Sequence, residues 1–411
     1  MTYTVQAGRS LNGNIQLPAS KSISNRALIL DAMAGSFSAE STPNTLLNLA
    51  DCDDTMVMTN ALAFNSNKIN IGAAGTSMRF LTAYLAGTAG EWEITGSERM
   101  QNRPIRLLVD ALNQLGADIS YLGKDGFPPL KIRGKKLIGG AISIDGGISS
   151  QYLSALMMAA PAMKQGLTLT IEGELISKPY FNMTLEMMRL WGAESFWDGT
   201  TVVIKPQTYK QRSFTVESDW SGASYWYEML SLAKEGEVFL KGLFRDSLQG
   251  DARVAEWFES LGIHTEYETE GVRLIKTGTT VKRFEADFTN QPDLAQTFAM
   301  TCALNAIPFR LTGLQSLKIK ETDRLKALVD ESAKLGFVFV ASRDSILEWS
   351  GETCTMFAIP IETYDDHRMA MAFAPVALAY GIIRINHPEV VSKSYPNFWN
   401  DLKDAQFHIT E

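Results

Sequence analysis

The stretch Lys318-Ile319-Lys320-Glu321-Thr322-Asp323-Arg324-Leu325-Lys326 sets two acids and four bases within nine residues. Thr322 is placed to cap a helix whose apolar face begins with Leu325, Leu328 and Val329. Lys320 and Glu321 then fall in the loop ahead of the cap, where free backbone N–H groups collect. Arg324 falls in the first turn, where the helix dipole disfavours a cation. A base there suggests an anion resting on the helix end; local ion pairs at a solvated helix start are the alternative reading.

Several other stretches have the same character. Lys21-Ser22-Ile23-Ser24-Asn25-Arg26 offers a cation and a hydroxyl at a helix start, with Ser24 or Asn25 as the cap. Ile71–Thr82 is a glycine loop opening into a helix, in which Gly75 lets backbone N–H groups approach a ligand and Arg79 follows. It matches neither a Walker loop nor a dinucleotide fingerprint. Arg99 and Arg103 precede Pro104, at a favourable first helical position. Ser149, Ser150 and Gln151 stand at a further helix start, and Ser177-Lys178-Pro179-Tyr180 adds a hydroxyl pair. Asp293 lies in a first turn after Pro292, where a dipole favours its ionised form. In Tyr364-Asp365-Asp366-His367-Arg368, Asp366 is placed to orient His367 while Arg368 faces a ligand. Lys393 sits in a short turn before Pro396.

Each stretch alone is met at ordinary helix caps and charged turns. Together they place Lys21, Arg26, Arg79, Arg103, Lys320, Arg324, Arg368 and Lys393 at or near helix starts in a chain of net charge −8. Helix starts converging on one place would make an electropositive cavity. Asp293 and Glu321 stand out beside it as acid–base candidates. That inventory suits a small substrate with several anionic groups and proton transfer between them. Neither a metal nor another cofactor is expected, because arginine and lysine already neutralise the charge.

The elements that must position these residues repeat. Val109–Tyr121, Leu185–Trp197, Val254–Tyr267 and Leu328–Val340 each read as an amphipathic helix, a glycine just past its end, and then an alternating strand. The glycines, Gly116, Gly192, Gly262 and Gly336, lie 70 to 76 residues apart. Weaker copies without the glycine lie near 54–70 and 398–409. About six helix-plus-strand units result, read as small α/β modules rather than a superhelix. A length of 411 residues makes two domains the expectation. Net acidity argues against general nucleic-acid binding. The polar beginning Met1-Thr2-Tyr3-Thr4-Val5-Gln6 is not a signal peptide. The longest apolar run, 370–380, contains Pro375, is too short to span a bilayer, and reads as a buried helix. Cys52, Cys302 and Cys354 show no metal-ligand spacing and suggest a reducing compartment.

The ordered set Lys21–Arg26, Gly75–Arg79, Arg99 to Pro104, Ser149–Gln151, Ser177–Tyr180, Lys320-Glu321-Thr322-Asp323-Arg324, Asp366–Met371 and Lys393–Pro396 resembles the EPSP synthase (3-phosphoshikimate 1-carboxyvinyltransferase) family, from about residue 8 to residue 400. The resemblance implies a two-domain inside-out α/β barrel with six βαβαββ repeats, three per domain. It implies domain 1 from residues 1–19 and 220–411, domain 2 from residues 20–219, and an active site in a cleft between them that closes over substrate. It implies transfer of the enolpyruvyl group of phosphoenolpyruvate to the 5-hydroxyl of 3-phosphoshikimate, through a tetrahedral ketal. By resemblance, 3-phosphoshikimate meets Lys21, Ser22, Arg26, Ser149, Ser150, Gln151, Ser177, Tyr180, Asp293, Ser316 and Lys320. Phosphoenolpyruvate meets Lys21, Gly75, Arg103, Gln151, Arg324, His367, Arg368 and Lys393. Asp293, Glu321 and Lys21 are the expected catalytic groups. A cytoplasmic monomer acting on these two small molecules is expected, with no membrane or nucleic-acid partner. The sister transferase acting on UDP-N-acetylglucosamine and a non-catalytic phosphate-ligand binder are the competing readings. The chain departs from the family pattern at Ala73 and Ser316, where asparagine is usual, and at Phe80, where proline is common.

Overall fold

The computed structural model describes residues 1–35, 45–63, 65–147 and 149–411. Phe64, in the weak repeat copy at 54–70, and Ile148, in the stretch ahead of Ser149, lie outside the described residues. The chain divides into two compact units, one of Met1–Ala19 with Glu217–Glu411, the other of Ser20–Val216.

In the first unit, strand Ser10–Gln16 runs parallel to Glu235–Lys241, which pairs antiparallel with Gly271–Lys276 and through it with Ile263–Glu268. A second sheet repeats the order: Phe284–Asp287 parallel to Phe309–Thr312, then Ile346–Trp349 and Val340–Ser342 antiparallel. Helix Ala295–Leu304 joins the parallel pair, and Arg324–Lys334 leads into the antiparallel one. The third sheet sets Thr2–Gln6 between Ile382–Asn386 and His408–Thr410. The second unit carries the same pattern in Lys68–Asn70, Gly90–Thr95, Leu130–Gly134 and Ile119–Tyr121. It recurs in Gly140–Asp145, Leu167–Glu172, Thr201–Ile204 and Phe196–Trp197. A short parallel pair, Leu46–Leu47 with Phe214–Thr215, makes its third sheet. The four four-stranded sheets carry the βαβαββ pattern that the resemblance implies, each joining one parallel pair to antiparallel returns, while the third sheet of each unit has fewer strands.

Two kinds of helix follow from two kinds of sequence. Arg106–Gln114 buries only Leu108, Val109, Ala111 and Leu112, the stripe of an amphipathic outer helix. Trp220–Leu232 buries nearly every residue, as do Ala295–Leu304 and His367–Phe373. Helices apolar all round must sit inside, and these three form the core of the first unit. Lys21–Met33, Gly75–Gly87 and Ser150–Ala159 are the buried helices of the second. Lys21, Gly75, Ser150, Gln151, His367 and Arg368 lie in the first turns of four of these inner helices and Asp293 in the turn ahead of a fifth, while Lys320, Glu321 and Arg324 stand at the start of Arg324–Lys334 and Ser177 just ahead of Lys178–Leu190.

The repeat glycines do what their position requires. Gly116, Gly192, Gly262 and Gly336 have φ of +97°, +81°, +84° and +93°, the left-handed turn that stops a helix. In the weak copy after Phe398–Asp404, Gln406 takes that conformation at +69°.

Local details correct several expectations. Asp323, not Thr322, caps Arg324–Lys334, its carboxylate accepting from the Lys326 N–H. Thr322 and Asp323 are both good cap types, and the helix simply begins one residue later. Lys21 is itself the first helical residue, so neither Ser24 nor Asn25 is a cap; both are buried one turn inside. Pro104 precedes Ile105, the residue before the helix, rather than opening it. The run 370–380 is not one helix: His367–Phe373 stops, and Val376–Tyr380 restarts after Pro375, which has no N–H to continue the ladder.

One interior feature stands out. Between the inner helices Trp220–Leu232 and Ala295–Leu304, the Ser224 and Thr297 hydroxyls meet at 3.0 Å. About two turns on, Asn305 Nδ2 donates to Ser231 Oγ at 3.1 Å. Between these contacts lies Glu228, fully buried, neither carboxyl oxygen hydrogen-bonded among the described residues. Burial pushes its carboxyl well above the ordinary range.

Candidate active site

In the first unit Asp293, Lys320, Glu321, Arg324, Arg368 and Lys393 form one continuous network around Arg324. Its guanidinium is 2% exposed. It donates through Nη1 to Asp293 Oδ1 at 2.9 Å, through Nη2 to Glu321 Oε2 at 2.9 Å, and through Nε to Asp366 Oδ2 at 2.6 Å. The base that sequence reading set beneath a bound anion is thus held by three carboxylates of the chain itself. Burial opposes its charge, but Asp366, Glu321 and Asp293 outweigh that and raise its pKa.

The rest of the network grows from those carboxylates. Asp293 Oδ2 lies 2.9 Å from Arg368 Nη2, and its Oδ1 3.8 Å from Lys320 Nζ. Burial alone would raise Asp293, but Arg368, Lys320 and Arg324 hold it well below the usual carboxylate range. Asp293 pulls Lys320 upward, yet burial and the nearby arginines leave that ammonium lowered overall. Lys393 Nζ donates to Glu321 Oε1 at 2.6 Å. Arg368 Nη1 also donates to the Tyr225 hydroxyl at 3.3 Å, and burial pushes that phenol up to about 12. Four cations therefore face three carboxylates in this network.

Backbone geometry aims these groups. Asp366 caps His367–Phe373, its Oδ1 accepting from the Arg368 N–H at 2.9 Å. Tyr364 and Asp365 just before it both take left-handed φ, +54° and +55°, a strained turn of the kind found at ligand sites. His367 is buried, with Nδ1 3.7 Å from Asp366 Oδ1, longer than a hydrogen bond. Asp366 thus serves Arg324 and the helix cap rather than orienting His367. Ser316 lies on the turn Gln315–Ile319, with no hydrogen bond to this network among the described residues.

In the second unit the expected residues gather where four helices begin. Lys21 opens Lys21–Met33, its Nζ 3.3 Å from Asp54 Oδ2. Gly75 opens Gly75–Gly87, and a Cβ there would meet Arg103 Nη1 at 2.8 Å, so the guanidinium lies directly on the glycine. Ser149 caps Ser150–Ala159 by accepting from the Gln151 N–H, and Gln151 Nε2 donates to Thr76 Oγ1 at 3.1 Å. Ser150 is the first residue of that helix and is buried. Ser177 precedes Lys178–Leu190 in a left-handed conformation, φ +53°, beside the half-buried Tyr180.

Arg26 behaves differently from its neighbours. It is buried, donating to Thr184 Oγ1 at 2.8 Å, Ser154 Oγ at 3.1 Å and the Ser22 and Tyr180 carbonyls at 2.9 and 3.3 Å. It ties three helices together, and burial lowers it to about 10. Its guanidinium stacks 5.3 Å from the Phe80 ring centroid, so Phe80 fills a helical core position beneath a cation. Arg79 is bonded to the Gly75 and Pro104 carbonyls, fixing the glycine loop to the Arg103 segment.

Three acids escaped sequence reading: Asp54, the Lys21 partner; Asp251, which accepts from the Ser221 hydroxyl and interacts electrostatically with Asp293 and Arg368; and Asp366 as an Arg324 partner. Asp54 shares a buried helical face with Met58, Ala61 and Leu62, and Asp251 with Val254, Ala255 and Phe258. An acid inside an apolar stripe is the signal that would have found the first two. Among the described residues no group of His, Cys, Asp and Glu has metal-site geometry.

The arrangement can bind several anionic groups and shuttle protons between two carboxylates linked by one guanidinium. The family model described as EPSP synthase (3-phosphoshikimate 1-carboxyvinyltransferase) matches residues 5–70 and 59–402. A protein of that name from Bacteroides fragilis is 54% identical, with 100% of this chain and 99% of that protein covered. One from Photobacterium damsela is 38% identical, over 98% of this chain and 99% of that one. Among solved structures, EPSP synthase from Acinetobacter baumannii superposes with a TM-score of 0.78 at 21% identity, covering both chains fully. The enolpyruvyl transferase NikO from Streptomyces tendae gives 0.72 at 16% identity, over 100% of this chain and 98% of that one. These two establish a shared fold. With its family model spanning nearly the whole chain and a full-length relative sharing more than half its residues, this chain belongs to the EPSP synthase family.

Proposed function

We propose that the chain is a 3-phosphoshikimate 1-carboxyvinyltransferase. The 5-hydroxyl of 3-phosphoshikimate loses a proton as it attacks C2 of phosphoenolpyruvate, while C3 gains one. The tetrahedral ketal then expels phosphate as C3 returns its proton. The observation that carries the reading is the pair Asp293 and Glu321, each beside a lysine and both gripped by Arg324, in a chain of this family. Two carboxylates so placed can divide the two proton transfers.

The residue roles extend that reading. Lys21, Ser22, Arg26, Ser149, Ser150, Gln151, Ser177, Tyr180, Asp293, Ser316 and Lys320 hold 3-phosphoshikimate. Lys21, Gly75, Arg103, Gln151, Arg324, His367, Arg368 and Lys393 hold phosphoenolpyruvate. An anion that draws Arg368 or Arg324 to itself frees Asp293 from the cations that keep it acidic, so substrate binding makes it a better proton acceptor. Arg26 also fixes helix starts through Thr184, Ser154 and Tyr180. The three cysteines are free thiols, which supports a reducing, cytoplasmic setting. The test is phosphate release measured with both substrates. Release with 3-phosphoshikimate but not with UDP-N-acetylglucosamine is expected; the reverse, or none with either, overturns the assignment.

A further inference from the structure

Resting on the reading of Asp293 as proton acceptor, we propose that Asp251 is a positioning residue for the reaction: a second carboxyl set against the Asp293–Arg368 pair, whose charge strengthens Asp293 as a base. Asp251 is 2% exposed and belongs to the single turn Gly250–Arg253. Ser221 Oγ, at the start of the inner helix Trp220–Leu232, donates to its Oδ2. Its Oδ1 is buried with no hydrogen-bond partner among the described residues. A carboxylate with one oxygen unserved is costly to bury unless it takes up a proton.

The turn that carries it is tied to the Asp293 segment, Gln291 Nε2 donating to the Gly250 carbonyl at 3.3 Å, and its charged neighbours come from three further elements: Asp293 from the turn Pro292–Leu294, Arg368 from His367–Phe373, and Asp219, the cap of Trp220–Leu232. Two neighbouring carboxyls in a dry site do not ionise independently. Asp293, with Arg368, Arg324 and Lys320 around it, keeps the charge. The proton therefore resides on Asp251, where burial and then the Asp293 charge push the carboxyl up to about 7, against the pull of Ser221 and Arg368. When Asp251 loses that proton, like-charge repulsion makes Asp293 more basic, most strongly once a bound anion has engaged Arg368.

The experiment is the pH profile of kcat. The parent is expected to show a step near pH 7, with turnover roughly three- to tenfold higher on its alkaline side. Asp251→Asn removes the titrating group, so its profile loses the step and stays at the lower level. Ser221→Ala removes the donor that stabilises the carboxylate, so its step moves to higher pH. A purely structural tie between Ser221 and Asp251 would scale turnover without moving the step. A step unchanged in Asp251→Asn overturns the proposal. Should that variant fail to fold, the Ser221→Ala profile decides: a displaced step supports the proposal and an unmoved one sinks it. Infrared difference spectra of parent against Asp251→Asn, without substrate, provide a readout independent of turnover. A protonated-carboxyl band present at about pH 6 and gone by about pH 8 is expected, and its absence overturns the proposal. Phosphate release absent from the parent at every pH would mark failure of the transferase reading instead, with the infrared titration still testing the Asp251 proton.

Discussion

Arg324 holds three acids at once, and that fact changes what binding means here. A ligand phosphate or carboxylate must compete with Asp293, Glu321 and Asp366 for a guanidinium already engaged. Glu321→Gln keeps the shape but loses the proton-transfer group and the charge that pairs with Lys393 and Arg324. We expect kcat to fall by about 10²–10⁴ with the fold retained; near-parental turnover would exclude Glu321 from the chemistry. Gly75→Ala pushes a methyl against Arg103, whose far end can swing aside, so the fold survives while the cation moves. The KM for phosphoenolpyruvate should rise about tenfold or more with a smaller change in kcat, consistent with about 1.4 kcal/mol of lost binding. Steady-state kinetics on both substrates separate these effects. Much of this chemistry was readable from residue types: Lys320, Glu321 and Arg324 declare themselves by crowding. What local sequence could not supply was the identity of Arg324's partners, because Asp293 and Asp366 lie 31 and 42 residues away. Arg26 looked like its neighbours in sequence and differs only because Thr184, Ser154 and Tyr180 surround it.

Helices show where local signals suffice and where they fail. Gly116, Gly192, Gly262 and Gly336 were legible because a left-handed residue past a helix end favours one residue type. The start of Arg324–Lys334 was legible only to within one position, since Thr322 and Asp323 cap equally well in principle. Asp323→Ala should lower stability by about 1 kcal/mol in urea melts, while Thr322→Ala should leave it within about 0.5 kcal/mol. Inner helices escaped periodicity analysis because every face is buried, so a charge such as Glu228 gives no sign of its surroundings. Its carboxyl is raised in the folded chain, so the native state binds a proton that the unfolded chain releases. That stabilisation is complete below the unfolded value and is lost as pH rises toward the folded one. Glu228→Gln should therefore gain stability over the parent with rising pH, by up to about 1.4 kcal/mol per unit above roughly pH 4.5. Urea melts at several pH values check this; parallel curves for the two proteins would contradict it.

At the scale of the molecule, positive charge gathered at helix starts in an acidic chain makes substrate capture sensitive to salt. Raising ionic strength from about 0.05 to about 0.5 M should raise both KM values severalfold and change kcat less. Initial rates over a salt series test this, and salt-independent KM values would argue against electrostatic capture. The repeated strand order was legible in sequence as a rhythm of helix, glycine and strand, but the partners of each strand were not. The N-terminal strand shows why: Thr2–Gln6 has no mate nearby and is completed by Ile382–Asn386 and His408–Thr410. This circular closure has a bearing on biogenesis. During translation the contiguous unit Ser20–Val216 has all its own segments within reach long before the other. Thr2–Gln6 is made well before Ile382–Asn386 and His408–Thr410 and stays without those partners until they emerge from the ribosome, exposing an open edge meanwhile.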